Sequence, residues 1–451
     1  MGVLRKSIAG WGRYPVQTCE LQRPESPAGL HNDDAPRIAR GLGRSYGDAA
    51  LNDEGRVLLT ERLNRLLSFD ANKGLLRAES GTTLAEILRL FVPRGWFPVV
   101  VPGTRHVTLG GCVAADVHGK NHHRDGAFSQ HLTDLQLVTA AGRRLRCSPT
   151  REKEAFWATV GGMGLTGVIA EVGIRMRPID SAYLVAEHQP TADLDQTLAY
   201  LDDNSFDDEY TVAWLDGLAT GASLGRGVFM RGHHAAVSEL PARLRDQPLA
   251  ISDRGTRRVP MNLPSGLLHP ALLRIFNSIY YQRQGARRQP FVVDYSRFFH
   301  PLDALDDWNR LYGKRGFLQY QCAVPAAGGV EVLREILRRL AEAGYGSFLA
   351  VLKKFGAASK GMLSFPVPGY TLAVDIPRRG ETLLALLDEL DDRVAGCGGR
   401  VYLAKDARLS PVAFRRMYPR FAEWHAIKQR LDPHQRFSSS LSRRLRLEAG
   451  P

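Results

Sequence analysis

Cysteine is scarce in this chain, and the few present are scattered. Cys19, Cys112, Cys147, Cys322 and Cys397 are odd in number, far apart and form no CxxC pair. That pattern argues against a disulfide framework and a cysteine zinc site, and it fits a reducing compartment. Long apolar runs are missing too, since no stretch approaches the roughly 18 to 20 residues needed to cross a bilayer. The start, Met1-Gly2-Val3-Leu4-Arg5-Lys6-Ser7, carries positive charge with no apolar segment after it, so no cleaved signal is expected. Acidic residues are outnumbered, 47 against 60 Lys and Arg, which leaves a formal net charge of +13. Such a charge points to anionic partners: nucleic acid, an acidic membrane surface or phosphorylated small molecules. The arginines are spread along the chain rather than gathered in a tail. No helix-turn-helix, zinc-finger spacing or aromatic RNA-binding signature accompanies them, which disfavours nucleic acid. Internal repeats and low-complexity linkers are also lacking. What remains is a chain of 451 residues, 44% hydrophobic, expected to be a soluble globular protein of two domains.

Residues 37–180 alternate short strands, turns and occasional helices. Arg37-Ile38-Ala39 and Gly74–Glu79 read as strands. Thr82 or Thr83 then caps a helix whose Leu84, Ile87, Leu88 and Phe91 fall at helical spacing. Leu135, Leu137 and Thr139 precede a turn at Ala141-Gly142, a hairpin pattern. Ala170, Val172, Ile174 and Met176 alternate with Glu171, Gly173, Arg175 and Arg177, as in a half-buried strand closed by Pro178. Beyond about residue 183 the elements lengthen. Val332–Leu340 is an amphipathic helix ended by Gly344, and another helix carries Leu383, Leu386, Leu387 and Leu390. The tail offers a strand, Val401-Tyr402-Leu403-Ala404, and a helix opened by Ser410-Pro411.

The most informative stretch is Pro102–His123. It joins glycine turns at Gly103 and Gly110-Gly111 to His118, Lys120, His122 and His123. Glycines of this kind let the backbone approach a ligand and offer N–H groups to phosphate. A second loop, Arg40-Gly41-Leu42-Gly43-Arg44-Ser45-Tyr46-Gly47-Asp48, follows a strand and suits the other half of a diphosphate. Gly162-Met163-Gly164-Leu165-Thr166-Gly167 matches G-x-G-x-x-G by letter. An alternating strand follows it rather than a helix, and Glu171 comes too early for a ribose contact, so a Rossmann site is rejected and a turn or cofactor-lining loop remains. The three histidines lack an HExxH arrangement and a nearby carboxylate triad, so metal binding is not expected. Lys405 lies next to Asp406, and a salt bridge between them is the plain alternative to a functional cation. Leu267–Tyr281 is apolar and aromatic, with Arg254, Arg257 and Arg258 before it and Arg283, Arg287 and Arg288 after it. That pattern suits either a core helix with a solvated basic loop or a surface that docks on an anionic membrane.

Read together, Ala39–Asp48, Pro102–His123, Phe156-Trp157-Ala158-Thr159-Val160-Gly161-Gly162, Phe317-Leu318-Gln319-Tyr320-Gln321 and Ala404-Lys405-Asp406 carry a family resemblance over most of the chain, from about residue 35 onward. The chain resembles the flavin-dependent oxidase component of decaprenylphosphoryl-β-D-ribose 2′-epimerase, within the vanillyl-alcohol-oxidase-type flavoproteins. The resemblance implies an α+β fold in which a two-part FAD-binding domain (1–182 and 400–451) brackets an inserted α+β substrate domain (183–399) built on an antiparallel sheet. By position it implies FAD contacts from Ala39, Arg40, Gly41, Leu42, Gly43, Arg44, Ser45, Tyr46, Gly47, Asp48 and Ala49. Gly103, Thr108, Leu109, Gly110, Gly111, Ala115, Asp116, Val117, His118, Ile169 and Tyr402 complete that set. The implied substrate pocket comprises His118, Lys120, Trp214, Gln319, Gln321, Lys353, Phe355 and Lys405. Three departures accompany it. Arg44 stands where covalently flavinylated relatives carry a linking His, so non-covalent FAD is expected. Ala373 replaces a pocket cysteine. Phe299 and Thr371 replace a pocket tyrosine and asparagine.

The implied reaction is oxidation of the 2-hydroxyl of a polyprenyl-phosphoryl-β-D-ribose to the 2-keto sugar. That is the first half of an epimerisation to the arabinose form used in cell-envelope polysaccharide, completed by a short-chain reductase partner. FAD supplies the redox chemistry and the protein supplies orientation and electrostatics. Lys405 is the expected key polar group, either assisting proton removal or stabilising negative charge on reduced flavin, and His118 positions flavin and sugar. Lys120, Lys353 or nearby arginines meet the phosphate. The expected location is cytoplasmic, with peripheral attachment to the inner face of the membrane left open. A soluble alditol or aldonolactone oxidase on the same fold is the nearest alternative, and a non-enzymatic basic binding protein is the alternative from another class.

Overall fold

A computed structural model describes residues 3–30, 35–203, 208–251, 255–264, 268–287 and 289–450. Arg254, Leu267 and Arg288, named above, lie outside them. The expected α+β architecture is borne out: three substantial β-sheets with helices segregated around them. The first joins Leu4–Ala9 and Val16–Gln22, antiparallel, to Arg56–Leu59 and Arg37–Arg40, which add in parallel. The second is antiparallel and centres on Val168–Pro178, flanked by Leu75–Glu79 and Leu132–Val138, with Leu66–Asp70 and Arg144–Cys147 outside them. The Leu132–Cys147 hairpin turns where Ala141-Gly142 placed it. Thr83, rather than Thr82, caps helix Leu84–Phe91. Its hydroxyl accepts from Glu86 N–H while the Glu86 carboxylate accepts from Thr83 N–H, satisfying two otherwise unpaired donors.

The third sheet is larger and wholly antiparallel. Its strands run in the order Phe291–Asp294, Tyr183–Thr191, Gly227–His234, Tyr210–Leu215, Ala350–Phe355, Gly369–Pro377, Phe317–Pro325 and Arg400–Val401. Side chains alternate between faces along each strand. One face carries Leu318, Tyr320, Cys322 and Val324, buried with Leu333, Ile336, Leu337 and Leu340 of helix Ala326–Glu342 and with Leu383, Leu387 and Leu390 of helix Gly380–Gly396. The other face presents Trp214, Gln319, Gln321, Val351, Lys353 and Ala373 to a cavity. The register fixes this set: Gln319 faces Asp375, Gln321 faces Ala373, and Lys353 faces Thr371.

The expected strand Val401–Ala404 is corrected. Only Arg400–Val401 pair, with Ala323 and Cys322, and the chain then turns, Lys405 and Asp406 N–H both donating to the Tyr402 carbonyl at 2.9 and 3.1 Å. Apolarity of the segment reflects burial inside the turn, not pairing. The tail then returns to the first sheet and to helix Lys153–Thr159. Arg37 N–H donates to Arg436 O at 2.7 Å, Ser438 N–H to Arg37 O at 3.1 Å, and Trp424 Nε1–H to Ala158 O at 3.0 Å. Ser410 caps helix Pro411–Met417 as its position before proline suggested.

Arg444, at the end of helix Ser440–Arg444, locks this return. It reaches Asp48 at 2.7 Å and Asp406 at 2.9 Å, both nearly fully buried. Removing one partner of a buried pair leaves uncompensated charge and costs about 3–5 kcal/mol. Arg444→Met is therefore expected to destabilise the protein by about 3 kcal/mol or more. Thermal melting checks this, and a melting temperature equal to that of the native chain refutes it.

Candidate active site

The glycine loops and the polar face of the large sheet enclose one cavity of about 410 Å³. Ala39, residues 41–46 and 49–50 form one wall, residues 101–104, 107–108, 110–111, 114–115 and 117–120 a second, and the large sheet the third. The two loops interlock. Thr108 caps the short helix Leu109–Ala114 by accepting from Gly111 N–H at 3.2 Å, and a Cβ on Gly41 would sit 2.4 Å from that same hydroxyl. Only glycine fits at residue 41. Gly43 has a φ of +66°, a left-handed conformation that glycine adopts freely. Met163, Gly164 and Gly167, from the rejected Rossmann match, contribute to the wall, so that segment lines the cavity.

Some expected residues stand off the wall. Arg40 is spent on the Ala9 and Ala50 carbonyls. Gly47 abuts the Asp406 carbonyl, Asp48 pairs with Arg444, and Leu109 is core. Asp116 is buried and accepts from Ser129 N–H and the Ser364 hydroxyl. Phe355 packs edge-on behind His118, ring centroids 4.8 Å apart. Each supports the site from behind. The other expected residues line the cavity. Sequence reasoning missed Trp11, Ser80, Met230, Tyr280, Asp303 and Val351 on the wall. Val351 was open to discovery, since it lies two residues before Lys353 on one strand; the rest come from distant segments with no local motif.

Of the three histidines only His118 faces the cavity. Its Nε2 lies 3.0 Å from the Gln321 amide nitrogen and its Nδ1 3.3 Å from Lys353 Nζ. His122 stacks on Phe355 and accepts from Gly356 N–H, and His123 meets the Asp208 carbonyl. Burial, reinforced by Lys353, holds His118 well below the ordinary imidazole value, so it is neutral.

Lys405 does not pair with Asp406, whose carboxylate is taken by Arg444 and by Arg408 and Leu409 N–H. Its ammonium instead lies over the Tyr46 ring, 3.7 Å from the centroid. Burial pushes Lys405 down to about 7, Asp375 opposes that shift and Lys353 adds to it. Asp375 sits behind the wall, accepting from Gln319, whose amide also donates to the Tyr46 hydroxyl at 3.3 Å. Lys120 donates to the Phe298 carbonyl and lies 4.3 Å from that ring; burial, then Lys353, brings it to about 7. The arrangement offers an amine base and two further nitrogen donors around one pocket.

Family models match in two places: an FAD binding domain over residues 30–148 and a D-arabinono-1,4-lactone oxidase model over 312–445. The chain is 38% identical over 452 residues to the decaprenylphosphoryl-β-D-ribose oxidase of Mycolicibacterium smegmatis, covering 98% of each. The chain belongs to that oxidase family. An uncharacterized protein in the mprA 5′ region of Streptomyces coelicolor is 38% identical over 81% of this chain and all of its own length. The L-gulonolactone oxidase of Scyliorhinus torazame is 30% identical over 38% of each chain. As a member of the decaprenylphosphoryl-ribose oxidase family, the protein is an FAD-dependent oxidoreductase acting on a sugar CH–OH group. The site fits FAD on its own chemistry. Besides the Gly41 cradle, Ser80 Oγ and Arg44 Nε are buried polar atoms without a partner, both on residues of the cavity wall.

Gly41→Ala should displace the Thr108 hydroxyl and open both loops. Flavin affinity is expected to fall at least about tenfold with the fold retained. Fluorescence titration of FAD into flavin-stripped protein, beside circular dichroism, checks it; unchanged affinity would falsify the interlock.

Proposed function

We propose that the protein oxidises the 2-hydroxyl of a polyprenyl-phosphoryl-β-D-ribose to the 2-keto sugar, with Lys405 as the base. The observation that carries this reading is Lys405 itself: a buried amine free of its neighbouring carboxylate, on the cavity wall, with its pKa brought to about 7. Bound in this cavity, FAD would supply the acceptor for the hydride that leaves the carbon bearing the hydroxyl. The uncharged Lys405 amine takes the hydroxyl proton, completing loss of one C–H and one O–H bond. His118 orients the sugar side of the pocket, and Lys120 supplies an N–H donor for the substrate phosphate. Arg44, its guanidinium stacked 4.0 Å over Trp11, offers no group to bond flavin covalently, which supports a non-covalent cofactor. The flavin part of the chain is assigned to residues 1–182 and 400–451 and the substrate part to 183–399. Return of the keto sugar to a hydroxyl on the other face requires a separate reduction, the task of a short-chain reductase partner.

Two experiments test the chemistry. Lys405→Ala is expected to slow anaerobic flavin bleaching by about 10²- to 10⁴-fold, the usual worth of a positioned base, with FAD still bound. A base must be deprotonated to act, so in the native enzyme the bleaching rate should fall as pH drops through about 7. A flat profile, or full activity in Lys405→Ala, refutes the role. Polyprenyl-phosphoryl pentoses should bleach the flavin and free polyols should not; the reverse favours the aldonolactone or alditol oxidase that the second family model suggests.

The lipid tail implies a membrane-facing side, and helix Pro270–Gly285 supplies one. Leu272, Ile275, Phe276 and Ile279 fall at i, i+3, i+4 and i+7 and are each about half exposed. Arg274 and Arg283 on the same helix and Arg287 just after it are exposed. Tyr280 of the same helix lines the cavity and packs 4.6 Å from Trp214, so the apolar stripe adjoins the pocket. Of the two readings this segment allowed, docking of the protein on an anionic bilayer is the one adopted. The protein should float with anionic liposomes, and Phe276→Ser with Ile279→Ser should abolish flotation. Failure of the native chain to bind anionic liposomes refutes it.

A further inference from the structure

Beneath the cavity floor, a hydrogen-bond chain runs across three strands from Cys322 to Lys353. The Thr371 hydroxyl donates to the Cys322 carbonyl at 2.9 Å. Having spent its one proton, it presents only lone pairs to the Gln321 amide nitrogen, 3.3 Å away. The amide is thereby oriented, its NH₂ end toward Thr371, and its second hydrogen goes to His118 Nε2 at 3.0 Å. Nε2 is then an acceptor. A neutral imidazole carries one ring proton, which must sit on Nδ1. Nδ1–H points at Lys353 Nζ, 3.3 Å away, and Nζ accepts it only as an uncharged amine.

We propose that Thr371 is a positioning residue that sets the direction of this chain. At pH above the Lys353 titration, Lys353 then meets the substrate as a neutral amine donating to an uncharged sugar hydroxyl, not as an ammonium pairing with phosphate. The opposite direction demands a rearrangement at every link. An ammonium on Lys353 would donate to Nδ1, Nε2–H would donate to a flipped Gln321 oxygen, and Thr371 would abandon the Cys322 carbonyl. The surroundings favour the first direction. His118, His122, Lys120 and Lys405 are the titratable groups coupled to Lys353, and the nearby carboxylate, Asp375, acts on Lys405 instead. Burial already brings Lys353 down to about 8. Gln321, Thr371 and His118 are all buried, so water does not compete for these bonds.

The sugar hydroxyl rests on the function proposed above; the tautomer does not. The test therefore reads the tautomer, by ¹⁵N NMR of histidine-labelled, FAD-loaded protein without substrate, the His118 signal being identified by its loss in His118→Gln. The native protein at pH 8.5 or above should show the proton on Nδ1, crossing to Nε2 as the pH falls and Lys353 takes its charge. Thr371→Val frees the amide to flip and should move the crossover upward by about one pH unit. Thr371→Ser should leave it in place. Gln321→Glu, whose carboxylate only accepts, should put the proton on Nε2 throughout. An Nε2 proton in the native protein at high pH, or a crossover unmoved by Thr371→Val, overturns the proposal. Failure of pentose substrates in the bleaching assay, with the tautomer as stated, would reject the substrate and keep the chain.

Discussion

Burial of basic nitrogen atoms around one cavity is the constraint from which the rest of this structure follows. Lys120, Lys353, Lys405 and His118 share a wall, and none of the three lysines has a carboxylate within ion-pair distance among the described residues. Isolated buried ammonium groups are expensive, and the usual outcome is that they give up their protons. The directions agree: all four are shifted toward the neutral form, with burial the leading cause in each. The carboxylate that might have quenched Lys405, its neighbour Asp406, is instead held by Arg444. A tail helix thereby keeps the Lys405 amine unpaired, which is why residues so far from the glycine loops bear on the chemistry proposed for it.

The same constraint explains the form of the large sheet. One strand face is continuous core beneath two helices, as apolar alternation demands; the other carries Gln319, Gln321, Lys353 and Trp214 into the cavity. Polar residues on a buried face are tolerated where they satisfy one another, and here they do so through amides. Gln319 bridges Tyr46 and Asp375, and Gln321 bridges Thr371 and His118. Amides donate and accept without adding charge, so they tie the sheet to the glycine loops at low electrostatic cost. A carboxylate in either place would draw the lysines into ion pairs and restore their protons.

Much of this was legible in the sequence, and for identifiable reasons. The helices at Leu84 and Ser410 announced themselves through caps, because a cap satisfies backbone donors with the next few residues and leaves a local signature. The glycine loops were legible because close approach forbids a Cβ, as Gly41 against Thr108 shows. The Val401–Ala404 segment misled because an apolar run looks alike in a strand and in a buried turn, and only the edge of the sheet decides which forms. Arg444 with Asp406, and Trp11, Ser80 and Asp303 on the wall, were beyond reach, since each meets its site through tertiary contact alone. Asp116 and Phe355 were placed in the right region but one layer too far inward: a motif marks a neighbourhood, and burial decides which of its members touch the cavity.

Of the departures from the family pattern, Ala373 and Thr371 lie on that same polar face, Phe299 belongs to helix Tyr295–Phe299 and Arg44 to the first glycine loop. Phe299 and Ala373 line the cavity, and Thr371 lies directly beneath it, cross-strand from Lys353. Phe299 and Ala373 make the wall more apolar than a hydroxyl and a thiol would, while leaving every proton-bearing link in place. Thr371 is different in kind. An asparagine there would bring both a donor and an acceptor, and could meet the Gln321 amide in either orientation; a threonine whose hydroxyl is committed to Cys322 can only accept. The substitution that looks most conservative in polarity is therefore the one with the longest reach, because it removes an ambiguity that would otherwise pass through Gln321 and His118 to the charge on Lys353.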